Sequence, residues 1–449
     1  MSGTAAHWHL LALAEEAAPA HFWIPQEIWL ARLPFEGENL RAALVWFRDE
    51  AARAPTGMPP EEKGLRMAGA LWRFWDIRGY WRESREWLEG TLAWAGSGQA
   101  PRTAARATAL LGLGMLEFDE GNDEAAAARL AESLAIRRER DDRPGIANGL
   151  FFVGFAALRR GDLTEERSRM AESLAQHEQL GDRWGRALVL HVQGEGIMLD
   201  DPALAQRHHE ESAALFRASG DTWGLSLALT SLGRLSLFRG DYVTARAACA
   251  EGLALRQAVG YKWFTAISLV SLGDVVRCQG EHEAAATLFR EGLTLYGELG
   301  RNYDRAWPLY GLGQATLGQG DIARATGHIQ EALALEASRG ILPGQIRCLA
   351  GLGAVAALHG DRARAARLFG AVAALVEAGV RSEPHDHRDY ERALDAAQAQ
   401  TDEATWLAGW ADGHPLPRQP QVGHAPSRNP TGAHSRSIHD RPLQWHCTT

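Results

Sequence analysis

Ser231-Leu-Gly-Arg-Leu-Ser-Leu-Phe-Arg-Gly-Asp-Tyr242 and, eighty residues later, Gly311-Leu-Gly-Gln-Ala-Thr-Leu-Gly-Gln-Gly-Asp-Ile322 follow one pattern. A glycine sits inside an apolar run, and seven residues further on comes a Gly-Asp pair. Gly240 and Gly320 can take the left-handed φ that stops a helix, and Asp241 and Asp321 can then cap the helix that follows. The stopping glycine recurs outward at Gly121, Gly161, Gly240, Gly280, Gly320 and Gly360, with four intervals of 40 residues and one of 79. The missing member falls on Asp201, where Asp200-Asp201-Pro202 supplies a cap and a proline suited to the first helical position. The inner glycine keeps register throughout, at Gly114, Gly154, Gly194, Gly233, Gly273, Gly313 and Gly353. A second series, Gly181, Gly220, Gly260, Gly300 and Gly340, divides the intervals from Gly161 onward again. A fixed period of this length signals stacked supersecondary units.

Between the marks the apolar spacing is helical, as in Leu225, Leu229, Leu232 and Leu235, or Ile322, Ala325, Ile329 and Ala332. Helical hairpins are expected at about 104–141, 145–181, 186–220, 224–260, 264–300, 304–340 and 344–378. No hairpin of this kind buries its apolar face alone, so the units must stack. The predicted fold is all-α, a right-handed superhelical solenoid of antiparallel helix pairs. Its expected organisation is an N-terminal helical cap (1–60), a degenerate first pair (61–100), seven repeats (101–380), C-terminal capping helices (381–411) and a disordered tail (412–449). The tail is rich in Pro, His, Ser, Gly and Arg and lacks periodicity.

These segments resemble tetratricopeptide repeats, in a long variety of about 40 residues rather than 34. The chain also resembles the helical sensor half of large bacterial signal-transduction ATPases, the maltose-activator (MalT-like) and antibiotic-regulator types. Trp29-Leu-Ala-Arg-Leu, Glu38-Asn-Leu-Arg-Ala-Ala-Leu-Val-Trp46 and Leu65-Arg-Met-Ala-Gly-Ala-Leu-Trp72 carry that likeness near the start. Leu368-Phe-Gly-Ala-Val-Ala-Ala-Leu375 and Asp389-Tyr-Glu-Arg-Ala-Leu394 carry it near the end. The resemblance implies a sensor or scaffold whose output partner is an ATPase or transcription-regulator module, here on another chain. A phosphate-binding G-x-x-x-x-G-K-[ST] loop and a basic recognition helix, which those regulators carry, have no counterpart in this sequence. The reading that follows is of the sensor portion alone, from a truncated or split gene or a free-standing descendant, with a frameshift as one origin of the tail.

Composition narrows the function further. The 449 residues carry a net charge of −9, which disfavours direct nucleic-acid binding. Lys63 and Lys262 are the only lysines, a sign of coding bias more than of function. Cys249, Cys278, Cys348 and Cys447 have neither metal-ligand spacing nor a disulfide pattern and are expected as thiols in a reducing cytosol. No apolar run is long enough for a membrane span, and His9-Leu-Leu-Ala-Leu-Ala14 lacks the basic flank of a signal peptide. A cytoplasmic location is expected.

Catalytic motifs are missing. His177-Glu178 and His282-Glu283 begin like a zincin helix, but Gly181 and Ala286 stand where the second histidine belongs. His208-His209-Glu210-Glu211 reads as a solvated polar face rather than a metal site, and His385-Asp386-His387 as a polar linker. No enzyme, cofactor or metal is expected. The recurring Trp184, Trp223 and Trp263, like the cluster Trp72, Trp75, Trp81, Trp87 and Trp94, read as packing between repeats.

The position after each inner glycine faces the concave groove in such repeats. It reads Met115, Phe155, Glu195, Arg234, Asp274, Gln314 and Ala354, with four polar residues in the middle. With Thr230, Arg277 and Tyr310 a turn away, Glu195, Arg234, Asp274 and Gln314 form a candidate groove for a protein partner, an extended peptide or a small effector. The competing reading is a watery groove with intramolecular pairs such as Arg234 with Asp274. A free-standing adaptor with no regulatory ligand is the alternative function.

Overall fold

The computed structural model describes residues 3–20, 33–51, 60–94, 101–260, 262–300 and 303–414. The segment 21–32 and the tail beyond residue 414, with the disorder expected there, lie outside the described residues. The chain divides into two compact units, Met1–Asn302 and Tyr303–Thr449. Among the described residues every regular element is helical.

The first unit opens with α1 (Gly3–Ala20), a 3₁₀ turn (Leu33–Glu36) and α2 (Gly37–Ala51). Six antiparallel pairs follow: α3/α4 (Pro60–Arg78, Trp81–Trp94), α5/α6 (Ala104–Asp119, Asp123–Glu139), α7/α8 (Arg143–Arg159, Leu163–Gln179), α9/α10 (Arg183–Ile197, Pro202–Ser219), α11/α12 (Thr222–Phe238, Tyr242–Val259) and α13/α14 (Lys262–Cys278, His282–Glu298). The second unit holds a 3₁₀ turn (Tyr303–Arg305), α15/α16 (Ala306–Gly318, Ile322–Ser338), α17/α18 (Leu342–Leu358, Arg362–Glu377), α19 (Pro384–Ala399) and α20 (Glu403–Gly413).

The punctuation acts as its chemistry dictates. The six stopping glycines from Gly121 to Gly360 have φ between 77° and 85°. Asp162, Asp241, Asp321 and Asp361 each accept from the backbone N–H three residues on, at 3.0–3.1 Å. Caps of this kind contribute about 1 kcal/mol each. At the irregular joint Asp201 accepts from Leu204 N at 2.9 Å, with Pro202 opening α10.

Two small-residue registers bring the helices of a pair together. Ala126, Ala205, Ala245, Ala285, Ala325 and Ala365 are fully buried on the second helices. Opposite them, a Cβ added at Gly233 would lie 2.4 Å from Cys249 Sγ, and one at Gly313 would lie 2.6 Å from Ile329 Cγ1. Dense packing therefore requires glycine on that face.

The helix α1 packs Leu11, Ala14 and Ala17 into one core with Leu44 and Phe47 of α2 and Leu65 and Leu71 of α3. Glu15 pairs with Arg66 at 2.5 Å across that junction. Within the apolar stretch 9–14, Leu11, Leu13 and Ala14 form the buried face of this helix. The α3/α4 pair also does more than begin a stack. Trp72 lies 6.3 Å from the Phe152 ring of α7, and the Arg73 guanidinium lies 5.6 Å from the Trp223 ring of α11. A Cβ at Gly79 would stand 2.9 Å from Leu299 Cδ2, so the turn between α3 and α4 lies against the residue that follows α14.

Candidate functional site

Three registers of the repeat converge inside each hairpin: the position after the inner glycine, the position three before it, and the residue on the second helix that packs against it. In α5/α6 they hold Met115, Leu111 and Leu130, and in α7/α8 Phe155, Phe151 and Met170. In α9/α10 all three turn polar, to Glu195, His191 and His209. His191 and Glu195 are one helical turn apart on α9, and His209 projects from α10 against Gly194, whose missing side chain leaves room for the ring.

Glu195 is the hub. Its Oε2 lies 2.9 Å from Arg234 Nη1 on α11, and its Oε1 accepts from the Ser231 hydroxyl. His209 Nε2 stands 3.8 Å from the same Oε1, and the His191 and His209 rings are 5.4 Å apart. Burial works to raise the Glu195 pKa, but the Arg234 charge, the two histidines and the Ser231 hydroxyl outweigh it and hold the carboxyl at about 2. Burial pushes His209 down to about 3 and lowers His191 as well, so both imidazoles are neutral at physiological pH. The Glu195 and Arg234 side chains keep about a quarter of their surface in solvent (24% and 22%).

The other groove residues divide between the two units. In the first, Thr230 is buried and donates to Ser226 O at 2.8 Å. Asp274 and Arg277 are buried on one helix with Arg277 Nε 3.9 Å from Asp274 Oδ1. In the second unit Gln314 Nε2 donates to the Tyr310 hydroxyl at 3.1 Å, and Tyr310 is buried beneath the Arg347 guanidinium, 5.6 Å from its ring. Of the seven residues, Glu195, Arg234 and Gln314 reach the surface in part.

Two expectations are corrected here. His209 is wholly buried, so His208-His209-Glu210-Glu211 is not simply a solvated face. His385 and Asp386 are buried in the first turn of α19 rather than set in a linker. Each belongs to a group able to hold a metal ion: His191, Glu195 and His209 in one unit, and Glu383, His385 and Asp386 in the other, with ligand atoms within 4.8 Å of one another. The sequence reading also passed over Arg256, buried between α11 and α13, which donates to Ser226 Oγ at 3.0 Å, Ser268 Oγ at 2.6 Å and Phe264 O at 2.9 Å. Burial lowers its guanidinium to about 9. Aligning the register three before the inner glycine would have exposed His191; nothing local marks Arg256.

Trp184 and Trp223 serve packing between pairs: they stack at 6.1 Å, and Phe264 meets the edge of Trp223 at 5.7 Å.

A family model of the tetratricopeptide repeat matches residues 224–298 and 264–338. The fold is that of a tetratricopeptide-type helical array. The crystal structure of a Rap protein complexed with competence and sporulation factor is similar at a TM-score of 0.58 and 13% identity, covering 88% of this chain and 100% of that one. The apo quorum sensor NprR from B. thuringiensis aligns at 0.48 and 12% identity, covering 85% and 99%. A signal-transduction ATPase with a tetratricopeptide sensor from Pyrococcus horikoshii aligns at 0.47 and 14% identity, covering 82% of this chain and 55% of that one. No curated protein matches the chain. At these identities the likeness concerns fold alone.

Proposed function

We propose that this chain is a non-catalytic binding protein whose inner helices in the first unit hold an extended peptide segment of a partner protein. One observation carries the reading. The register that is apolar at Met115 and Phe155 becomes a half-buried, pre-oriented ion pair at Glu195 and Arg234. A structure selected for stability alone gains little from such a pair, because desolvation offsets most of its attraction. A peptide backbone, however, needs fixed donors and acceptors set in an apolar surround, and Arg234 and Glu195 offer both signs beside Phe238, whose ring lies 5.9 Å from the Arg234 guanidinium. The crystallised Rap protein, similar in overall fold, is complexed with competence and sporulation factor, an instance of this fold carrying a bound partner.

A regulatory setting, with an ATPase or transcription-regulator module on another chain, extends this proposal and rests on the resemblance in the flanking helices. The test is a peptide-array selection with the full chain, followed by calorimetry. Arg234→Ala should weaken the selected peptides at least about tenfold, the loss expected for one charged hydrogen bond, in a chain that stays folded but melts at a lower temperature because Glu195 loses its partner. Equal affinity for Arg234→Ala and the parent chain would remove this face from the binding site.

A further inference from the structure

We propose that His191, Glu195 and His209 form a binding site for one divalent transition-metal ion of the zinc type, inside the α9/α10 hairpin. The donor set is two imidazoles and one carboxylate, which suits zinc and its first-row neighbours and not calcium or magnesium. His191 and Glu195 sit one turn apart on the same helix face, a spacing that lets two side chains reach one ion. His209 closes the set from the facing helix.

The second observation is the state of the imidazoles. His209 is fully buried, yet neither of its ring nitrogens has a hydrogen-bond partner, and His191 Nδ1 lacks one too. Buried polar groups left unmatched in this way cost free energy unless something occupies them. The register sharpens the point. The equivalent positions hold Leu130, Met170, Cys249, Phe289, Ile329 and Phe369, so an apolar residue satisfies the packing at this place. A histidine here, aimed at a carboxylate and a second histidine, is unexplained by packing.

The geometry is close to what an ion needs. The three ligand atoms lie within 4.8 Å of one another, and His209 Nε2 to Glu195 Oε1 is 3.8 Å. Ligand atoms around a tetrahedral zinc stand about 3.3 Å apart, so modest rotamer adjustment closes the set. Glu195 need not abandon Arg234: Oε2 keeps the guanidinium, Oε1 faces the histidines, and the Ser231 hydroxyl donates to Oε1 as an outer-shell partner of a ligating carboxylate. The fourth position is left for water or a partner's side chain, on the side where Glu195 and Arg234 meet solvent.

The test uses the full chain, freed of metal with a chelator and titrated with zinc by calorimetry, and with cobalt by visible absorption. His209→Leu restores the residue of the α5/α6 hairpin and should fold. His191→Phe, after Phe151, serves as the second variant. The parent should bind one more equivalent than either variant, and the cobalt complex should show the d–d bands of a four-coordinate N/O site. The variants should lose that equivalent or bind it at least about 100-fold more weakly, beyond the loss typical of outer-shell changes. Arg234→Ala should keep the metal while losing peptide, so the failure of either proposal shows independently of the other. Identical stoichiometry and affinity in the parent and both variants, or a cobalt spectrum that neither variant alters, would overturn the site.

Discussion

Glu166 shows what one residue out of register means. Six second helices carry a buried alanine at its position, and here a carboxylate with 1% exposure takes its place. Gly196 makes the space: a Cβ there would lie 3.3 Å from the Glu166 carboxyl, where the other first helices carry Ala156 and Ala315 or the larger Leu116, Leu235, Val275 and Val355. Burial raises the Glu166 carboxyl to about 6 against an ordinary 4.5, with Arg167 opposing, and its Oε2 has no hydrogen-bond partner. Between those two values the native state binds more protons than the unfolded chain, so stability falls as pH rises and the cost is fully present above about 6. Glu166→Gln, which mimics the protonated acid, should therefore stabilise the protein by about 1 kcal/mol at neutral pH. Melting curves should show that gain shrinking to nothing below pH 4.5, the ordinary carboxylate value; a constant gain at every pH would contradict it.

Helix ends and helix contacts obey different rules of legibility. The caps at Asp162, Asp241, Asp321 and Asp361 could be read from Gly-Asp pairs because capping is a local competition for the first N–H groups. Glycine roles inside helices could not, since they depend on what stands opposite. A Cβ on Gly370 of α18 would fall 2.5 Å from the Trp410 carbonyl oxygen of α20, whereas one on Gly327 of α16 would meet nothing within 4 Å. The same substitution should therefore act with opposite signs. Gly327→Ala should stabilise by up to about 1 kcal/mol through helix propensity. Gly370→Ala gains the same propensity but must push α20 away, at about 1–3 kcal/mol of overpacking, and should lower the melting temperature. Calorimetric melting of both variants checks the pair; equal shifts would mean that α20 does not pack as described.

At the scale of the molecule, the 40-residue period made the all-helical repeat architecture legible, because stacking is the only way such hairpins hide their apolar faces. The inward reach of α3 was not legible. Trp72, Arg73 and Gly79 lie in a degenerate pair, and their partners Phe152, Trp223 and Leu299 are distant in sequence. The candidate site was half legible. Glu195 and Arg234 stood out as charges in an apolar register, while His191 and His209 became visible only when the two helices were brought face to face. Thr230, Asp274 and Arg277 were visible as polar but not as buried, since burial is set by neighbouring hairpins. Trp223 joins α3, α9 and α13 in the first unit, so Trp223→Ala should cost about 3–5 kcal/mol. A denaturant midpoint shift much smaller than this would show that the aromatic stack contributes little to the unit.

The central claim is that the inner register at Glu195 and Arg234 is a binding surface. Hydrogen–deuterium exchange of the full chain, with and without a selected peptide, tests it most directly. Added protection is predicted in 183–197 and 222–238, and it should vanish in Arg234→Ala at the same peptide concentration. Protection confined to α19 and α20, or to the second helices with none on α9 and α11, would contradict it.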